Sequence, residues 1–169
     1  MLIARHELEI HRIIIEKAFE PQSLKFDGVD FRQAGTLTVS AIAELVGEDV
    51  RIRGSLKTRI EAECARCLQP VALPVEHDFD LTYRPVGSIA REEEMQLPEG
   101  ELDIGFYHGE GIELGDVLAE QVILALPMTV ICREDCLGLC PTCGADRNTG
   151  VCPCPAPQSG SPFAVLRGE

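Results

Sequence analysis

Positive charge is in short supply in this chain: 15 Lys and Arg stand against 28 Asp and Glu, a formal net charge of −13. A molecule so charged repels phosphate backbones at long range. Generic nucleic-acid binding is therefore disfavoured, and any RNA contact needs a local basic patch. A long apolar run is missing as well. The stretch Met1-Leu2-Ile3-Ala4-Arg5-His6-Glu7 meets charge within a few residues and offers neither an export signal nor a membrane span, so the chain is expected to be cytoplasmic and soluble. There is no Gly-rich phosphate loop and no nucleophile elbow. No small-molecule substrate is inferred, and a non-enzymatic role is expected.

What is present is enough apolar residue, 45 % of 169, for one domain with irregular additions. From Val50 to Cys64 the even positions Val50, Ile52, Leu56, Ile60 and Cys64 are apolar, while Arg51, Arg53, Lys57, Arg59, Glu61 and Glu63 take odd positions. That alternation predicts a long half-buried strand. From Val71 to Tyr83 the parity reverses, with Val75, Phe79 and Leu81 on one side and Glu76, Asp78 and Asp80 on the other. The two make a hairpin around a Cys-containing turn, with Arg59 expected opposite Glu76 and Lys57 opposite Asp78. Cross-strand pairing then accounts for the basic stripe; the other reading of Arg51, Arg53, Lys57 and Arg59 is a contact face for RNA or a partner. Leu37, Val39, Ala41, Ala43 and Leu45 supply the third strand of a meander, and Leu8 and Ile10 suggest an edge strand within Glu7 to Ile15. Residues 86–111 read as an acidic, mobile excursion. Leu114, Val117, Leu118, Val122, Ala125 and Leu126 recur at helical spacing up to Pro127, which predicts a helix covering the sheet. His77 falls on the inward parity of its strand and is expected to be a partnered core histidine. The fold class expected is α+β: an antiparallel β-meander with a long hairpin, one covering helix and a Cys-rich, zinc-binding C-terminal segment. One domain is placed at 1–154, including the Cys-rich segment 132–154, with a Pro/Ser/Gly linker and short apolar tail at 155–169.

All eight cysteines lie in two groups: Cys64 and Cys67 at the hairpin tip, and Cys132, Cys136, Cys140, Cys143, Cys152 and Cys154 near the C-terminal end. In a reducing compartment metal ligation or redox chemistry is the leading reading. Cys140-Pro141-Thr142-Cys143-Gly144 has the form of a zinc knuckle, with Gly where the chain must turn sharply. Cys64-Ala65-Arg66-Cys67 is a second, with Arg66 placed to offset thiolate charge. One or two Zn²⁺ ions are expected. One division joins Cys64 and Cys67 to Cys132 and Cys136, leaving Cys140, Cys143, Cys152 and Cys154 as a local site; it closes the smaller loop. The other joins Cys64 and Cys67 to Cys140 and Cys143. Cys152 and Cys154 are the weakest candidates, because C-x-C leaves little room for both sulfurs to reach one ion. The same thiolates could hold an iron–sulfur cluster, although nothing in the sequence demands a redox potential.

Two catalytic patterns compete. His108-Gly109-Glu110 followed by Cys140-Pro141-Thr142-Cys143 resembles the zinc deaminase signature. Here, however, the Pro lies between the cysteines and His108 sits in a Gly-rich acidic loop. Cys140 and Cys143 also resemble a redox dithiol, but no strand-then-helix unit flanks them. A metal-dependent nucleotide hydrolase or deaminase thus stays an outside alternative.

Cys64-Ala65-Arg66-Cys67 between long strands, the helix end Glu120-Gln121-Val122-Ile123-Leu124-Ala125-Leu126-Pro127, the run Cys136-Leu137-Gly138-Leu139-Cys140-Pro141-Thr142-Cys143-Gly144 and the closing Pro162-Phe163-Ala164-Val165-Leu166 together resemble the YceD family. The resemblance extends from about residue 20 to the end. It implies a role in accumulation of large-subunit ribosomal RNA, in ribosome biogenesis, with no assigned catalytic residues. With a charge of −13, engagement of a basic ribosomal protein or the pre-ribosomal large subunit fits better than coating RNA. Direct RNA binding through the basic hairpin face is the alternative.

Overall fold

In a computed structural model, residues 1–26, 28–88, 104–150 and 152–154 are described. The elements in chain order are β1 (Leu2–Ala4), α1 (Arg5–Leu8), β2 (Ile13–Phe19), β3 (Phe31–Gln33), β4 (Leu37–Val46), β5 (Asp49–Glu63), β6 (Pro70–Pro85), a 3₁₀ turn (Val86–Ser88), β7 (Ile104–Tyr107), β8 (Gly111–Glu113) and α2 (Leu114–Ala125). They divide between two compact units. One comprises Met1–Ala62 and Ala72–Met128; the other comprises Glu63–Val71 and the residues from Thr129 onward.

The first unit is built on the alternation of β4 and β5. Leu37, Val39, Ala41 and Ala43 of β4 and Val50, Ile52, Leu56 and Ile60 of β5 are buried, while the intervening side chains are more exposed. The strands pair antiparallel from Thr38–Lys57 to Val46–Asp49. At Gly54 the backbones approach so closely that a Cβ would lie 2.3 Å from the Ser40 carbonyl oxygen. Only glycine fits there. The described strands of this sheet run in the order β2-β4-β5-β6-β7, and β3 pairs with the end of β5. A separate pair joins β1 to β8.

Helix α2 lays Leu114, Val117, Leu118 and Val122 into the same core as Ile52, Leu56 and Ile60. Each fully buried aliphatic side chain of this kind contributes about 1.5–3 kcal/mol. The Met1 carbonyl accepts from the Leu114 N–H at 2.9 Å and so satisfies one open donor of the first turn. The helix ends at Ala125, and Leu126 is already extended at ψ 144° ahead of Pro127. Among the described residues no helix is long and apolar enough to cross a membrane.

Several expectations need correction. Leu8 is buried in the short helix α1, and Ile10 is 81 % exposed; the edge strand is β2, beginning at Ile13. Within 86–111, residues 104–107 form β7, which pairs parallel to β6 at Tyr83–Gly105; residues 89–103 and the tail 155–169 lie outside the described residues. Lys57 pairs with Glu76 at 3.2 Å rather than with Asp78, two positions from the expected partner. His77, expected as a partnered core histidine, is only half-buried. The pairs expected across the hairpin are replaced by others: Glu76, expected opposite Arg59, meets Lys57, Arg51 donates to Asp80 at 2.7 Å, and Arg53 pairs with Glu44 of β4 at 3.3 Å; apart from the stripe, Arg84 meets Asp49 through two bonds at 2.9 and 3.1 Å.

Candidate metal centre

Among its described residues the second unit buries little apolar material of its own. Its buried cluster is Cys64, Cys67 and Cys136, with Val71 and Ile131 packed around it. What organises it is sulfur. Cys64 and Cys67 come from the connection between β5 and β6, where Cys64 N–H donates to Gln69 O and Leu68 N–H to Cys64 O, both at 2.9 Å. Leu68 closes this turn at φ +59°, a conformation that non-glycine residues seldom adopt. In the second knuckle Gly144 occupies the matching place at φ +73° and donates to Cys140 O at 2.8 Å.

The sulfurs of Cys64, Cys67, Cys132 and Cys136 all lie within 4.8 Å of one another, and those of Cys140, Cys143, Cys152 and Cys154 do likewise. The structure therefore brings the cysteines together in the division that closes the smaller loop, and the C-x-C pair sits with its group. The Cys64–Cys136 and Cys67–Cys132 separations are 3.9 and 3.7 Å; Cys143–Cys152 and Cys140–Cys152 are 3.4 Å each. Four sulfurs bound about 2.3 Å from one ion at tetrahedral corners stand about 3.8 Å apart. Each group thus has the dimensions and donors to hold a metal ion. Neither includes a histidine or carboxylate, so His108 and Glu110 take no part in either.

Backbone amides prepare part of each set for ionisation. Burial resists loss of the Cys64 proton, yet the N–H groups of Arg66, Cys67 and Cys132 outweigh it and bring the thiol down to about 6. The N–H groups of Cys143 and Thr142 bring Cys140 down to about 6 as well. Burial and the adjacent thiols push Cys132 up to about 12, and the thiols of Cys152 and Cys143 push Cys154 to the same range. Four thiols so close cannot all ionise together unless a cation is shared.

Two side chains hold the loops in place. Arg66, expected to offset thiolate charge, donates from its guanidinium to the carbonyls of Glu134 and Cys136 at 3.1 Å each. The Arg66 carbonyl accepts from Leu139 N–H at 2.9 Å. A Cβ on Gly138 would lie 2.8 Å from that carbonyl oxygen. Asn148 donates from its amide nitrogen to Cys136 Sγ at 3.5 Å and accepts at its oxygen from Leu137 N–H at 2.9 Å. Sequence reasoning missed Asn148; the only available signal was an Asp-x-Asn turn, Asp146-Arg147-Asn148, set between ligand candidates.

A family model described as "Large ribosomal RNA subunit accumulation protein YceD" matches residues 52–168. An uncharacterized protein of Mycobacterium tuberculosis is 32 % identical over 124 residues, covering 73 % of this chain and 58 % of the relative. A protein of Haemophilus influenzae named large ribosomal RNA subunit accumulation protein YceD is 29 % identical over 117 residues, 69 % of this chain and 63 % of its own. A chloroplastic YCED homolog 1 of Zea mays is 27 % identical over 142 residues, 70 % of this chain and 48 % of its own. The chain thus spans less than two thirds of the length of these curated relatives. No solved structure matches.

Proposed function

The chain belongs to the YceD family of large ribosomal RNA subunit accumulation proteins, and on that premise we propose that it is a non-enzymatic, zinc-stabilised factor supporting accumulation of large-subunit ribosomal RNA and assembly of the large subunit. The observation that carries the metal part of this reading is the grouping of eight thiols into two sets of tetrahedral dimensions. A catalytic zinc keeps one coordination position open and commonly uses His or carboxylate ligands, whereas four thiolates close the shell. The metal then supplies folding free energy to a unit whose buried cluster, among the described residues, is three cysteines.

We further propose that the factor works through a basic protein partner in the cytoplasm, a ribosomal protein or a pre-ribosomal particle presenting one. The net charge of −13 favours such a partner. The hairpin face favours it too, since Arg51, Arg53 and Lys57 are each already paired with a carboxylate. The test is depletion of the protein in its own cell. Large-subunit ribosomal RNA should fall relative to the small-subunit RNA and be restored by the wild-type chain but not by a C64S/C67S variant. An unchanged ratio on depletion would contradict the proposal. Should the depleted cells be rescued by the wild type but not by a variant with Arg51, Arg53, Lys57 and Arg59 reversed, with binding to RNA that weakens steeply with salt, direct RNA contact would replace the protein partner.

A further inference from the structure

The loop that carries the second sulfur group also supplies a hydrogen-bond donor to the first. Asn148 lies between Cys143 and Cys152, and all four hydrogen-bonding positions of its side chain are engaged. The amide nitrogen donates to Cys136 Sγ at 3.5 Å and to Asp146 Oδ1 at 2.7 Å. The amide oxygen accepts from Leu137 N–H and from the Arg133 guanidinium, each at 2.9 Å. The same loop is laced to the chain between the two groups: Arg147 N–H donates to Gly138 O at 3.0 Å, Cys140 N–H to Ala145 O at 2.8 Å, and Leu139 bridges Asp146 antiparallel. Asp146 in turn accepts from the Asn148 backbone N–H at 2.8 Å and holds the turn.

From this geometry we infer that Asn148 is a positioning residue coupling the two metal sites, so that an ion bound by Cys140, Cys143, Cys152 and Cys154 tightens binding of an ion by Cys64, Cys67, Cys132 and Cys136. The inference rests on the proposed metal-binding reading. Its physical basis is twofold. A four-thiolate site carries excess negative charge even with a divalent ion, and each N–H aimed at a sulfur offsets part of it. The Asn148 donor reaches Cys136 only while its loop is ordered, and Cys143 and Cys152 bracket that loop. An ion drawing those two sulfurs together holds Asn148 in place; without it, the entropy of the loop competes with the contact. Linkage makes the effect reciprocal, so the first site in turn favours the second.

The experiment uses the full chain, titrated with zinc against a chromophoric chelator. Alkylation followed by peptide mass spectrometry reads protection of Cys64 and Cys136 separately from Cys140 and Cys143. Asn148→Ala should still bind two ions at saturation but lose about 10- to 100-fold in affinity at the first site, the range for loss of an outer-shell partner. Asn148→Asp, which replaces the donor with negative charge, should lose at least as much. Emptying the second site with C152S/C154S should weaken the first site by a similar factor in the wild-type background and by little more in the Asn148→Ala background. Equal first-site affinity in wild type and Asn148→Ala, or independent effects of the two changes, would overturn the coupling while leaving the metal sites standing. A wild-type chain that takes up no metal would overturn the metal reading itself, and the coupling with it.

Discussion

At the scale of single residues the two knuckle turns make opposite predictions from one conformation. Gly144 at φ +73° and Leu68 at φ +59° occupy equivalent turns, and a side chain in the left-handed region costs about 1–2 kcal/mol. Gly144→Ala should therefore destabilise the second unit by about 1 kcal/mol. Leu68→Gly should leave its stability unchanged or slightly raised, because relief of strain offsets the added freedom of the unfolded chain. Chemical denaturation followed by thiol accessibility measures both, and a loss on Leu68→Gly comparable to that on Gly144→Ala would contradict the strain argument. Gly138 was legible only as a glycine between ligand candidates. That its Cβ would strike the Arg66 carbonyl oxygen depends on which knuckle the loop meets, and spacing along the chain does not encode that. Asn148 was hidden for the same reason: a turn-forming residue and a sulfur donor look alike until Cys136 is placed beside it.

At the scale of elements, β4, β5 and α2 were legible because each is long enough for its period to repeat. Strands β1, β3, β7 and β8 run three or four residues, too short to carry a period, and the parallel pairing of β7 with β6 follows from the course of the chain rather than from any local pattern. Leu118 has no exposed surface and packs in the shared core of helix and sheet. Leu118→Ala should cost about 2–5 kcal/mol in urea unfolding; a cost below 1 kcal/mol would mean that the helix does not pack as described. On the hairpin face the Arg51 hydrogen bond and charge hold the Asp80 carboxyl below the usual aspartate value. A depressed carboxyl stabilises the fold above its unfolded pKa of about 3.9 and loses that contribution as pH falls through the folded value. Asp80→Asn should accordingly lower stability at pH 7, and the variant should come level with the wild type once pH has fallen below the depressed folded value. Since both side chains are largely exposed, the difference at pH 7 should be small. A gap that persists at low pH would assign it to packing instead.

At the scale of the whole molecule the two units are held together internally by different forces. Among the described residues, twenty buried residues form the apolar core of the first unit, against three cysteines in that of the second. Chelation of metal should therefore abolish protection of backbone amides in residues 64–71 and 130–150 and leave the β4 and β5 amides protected. Loop closure favoured the observed grouping of the eight cysteines over the one joining Cys64 and Cys67 to Cys140 and Cys143, because short loops cost least entropy, but it left both divisions open. Which ion they hold was not legible, since thiolates alone suit both zinc and iron–sulfur clusters. The most direct test of the account is elemental analysis combined with native mass spectrometry of the full chain purified under reducing conditions. The account predicts two zinc ions per chain, released together with loss of structure in the second unit; a folded, metal-free chain with eight alkylatable thiols, or one carrying disulfides in place of metal, would contradict it.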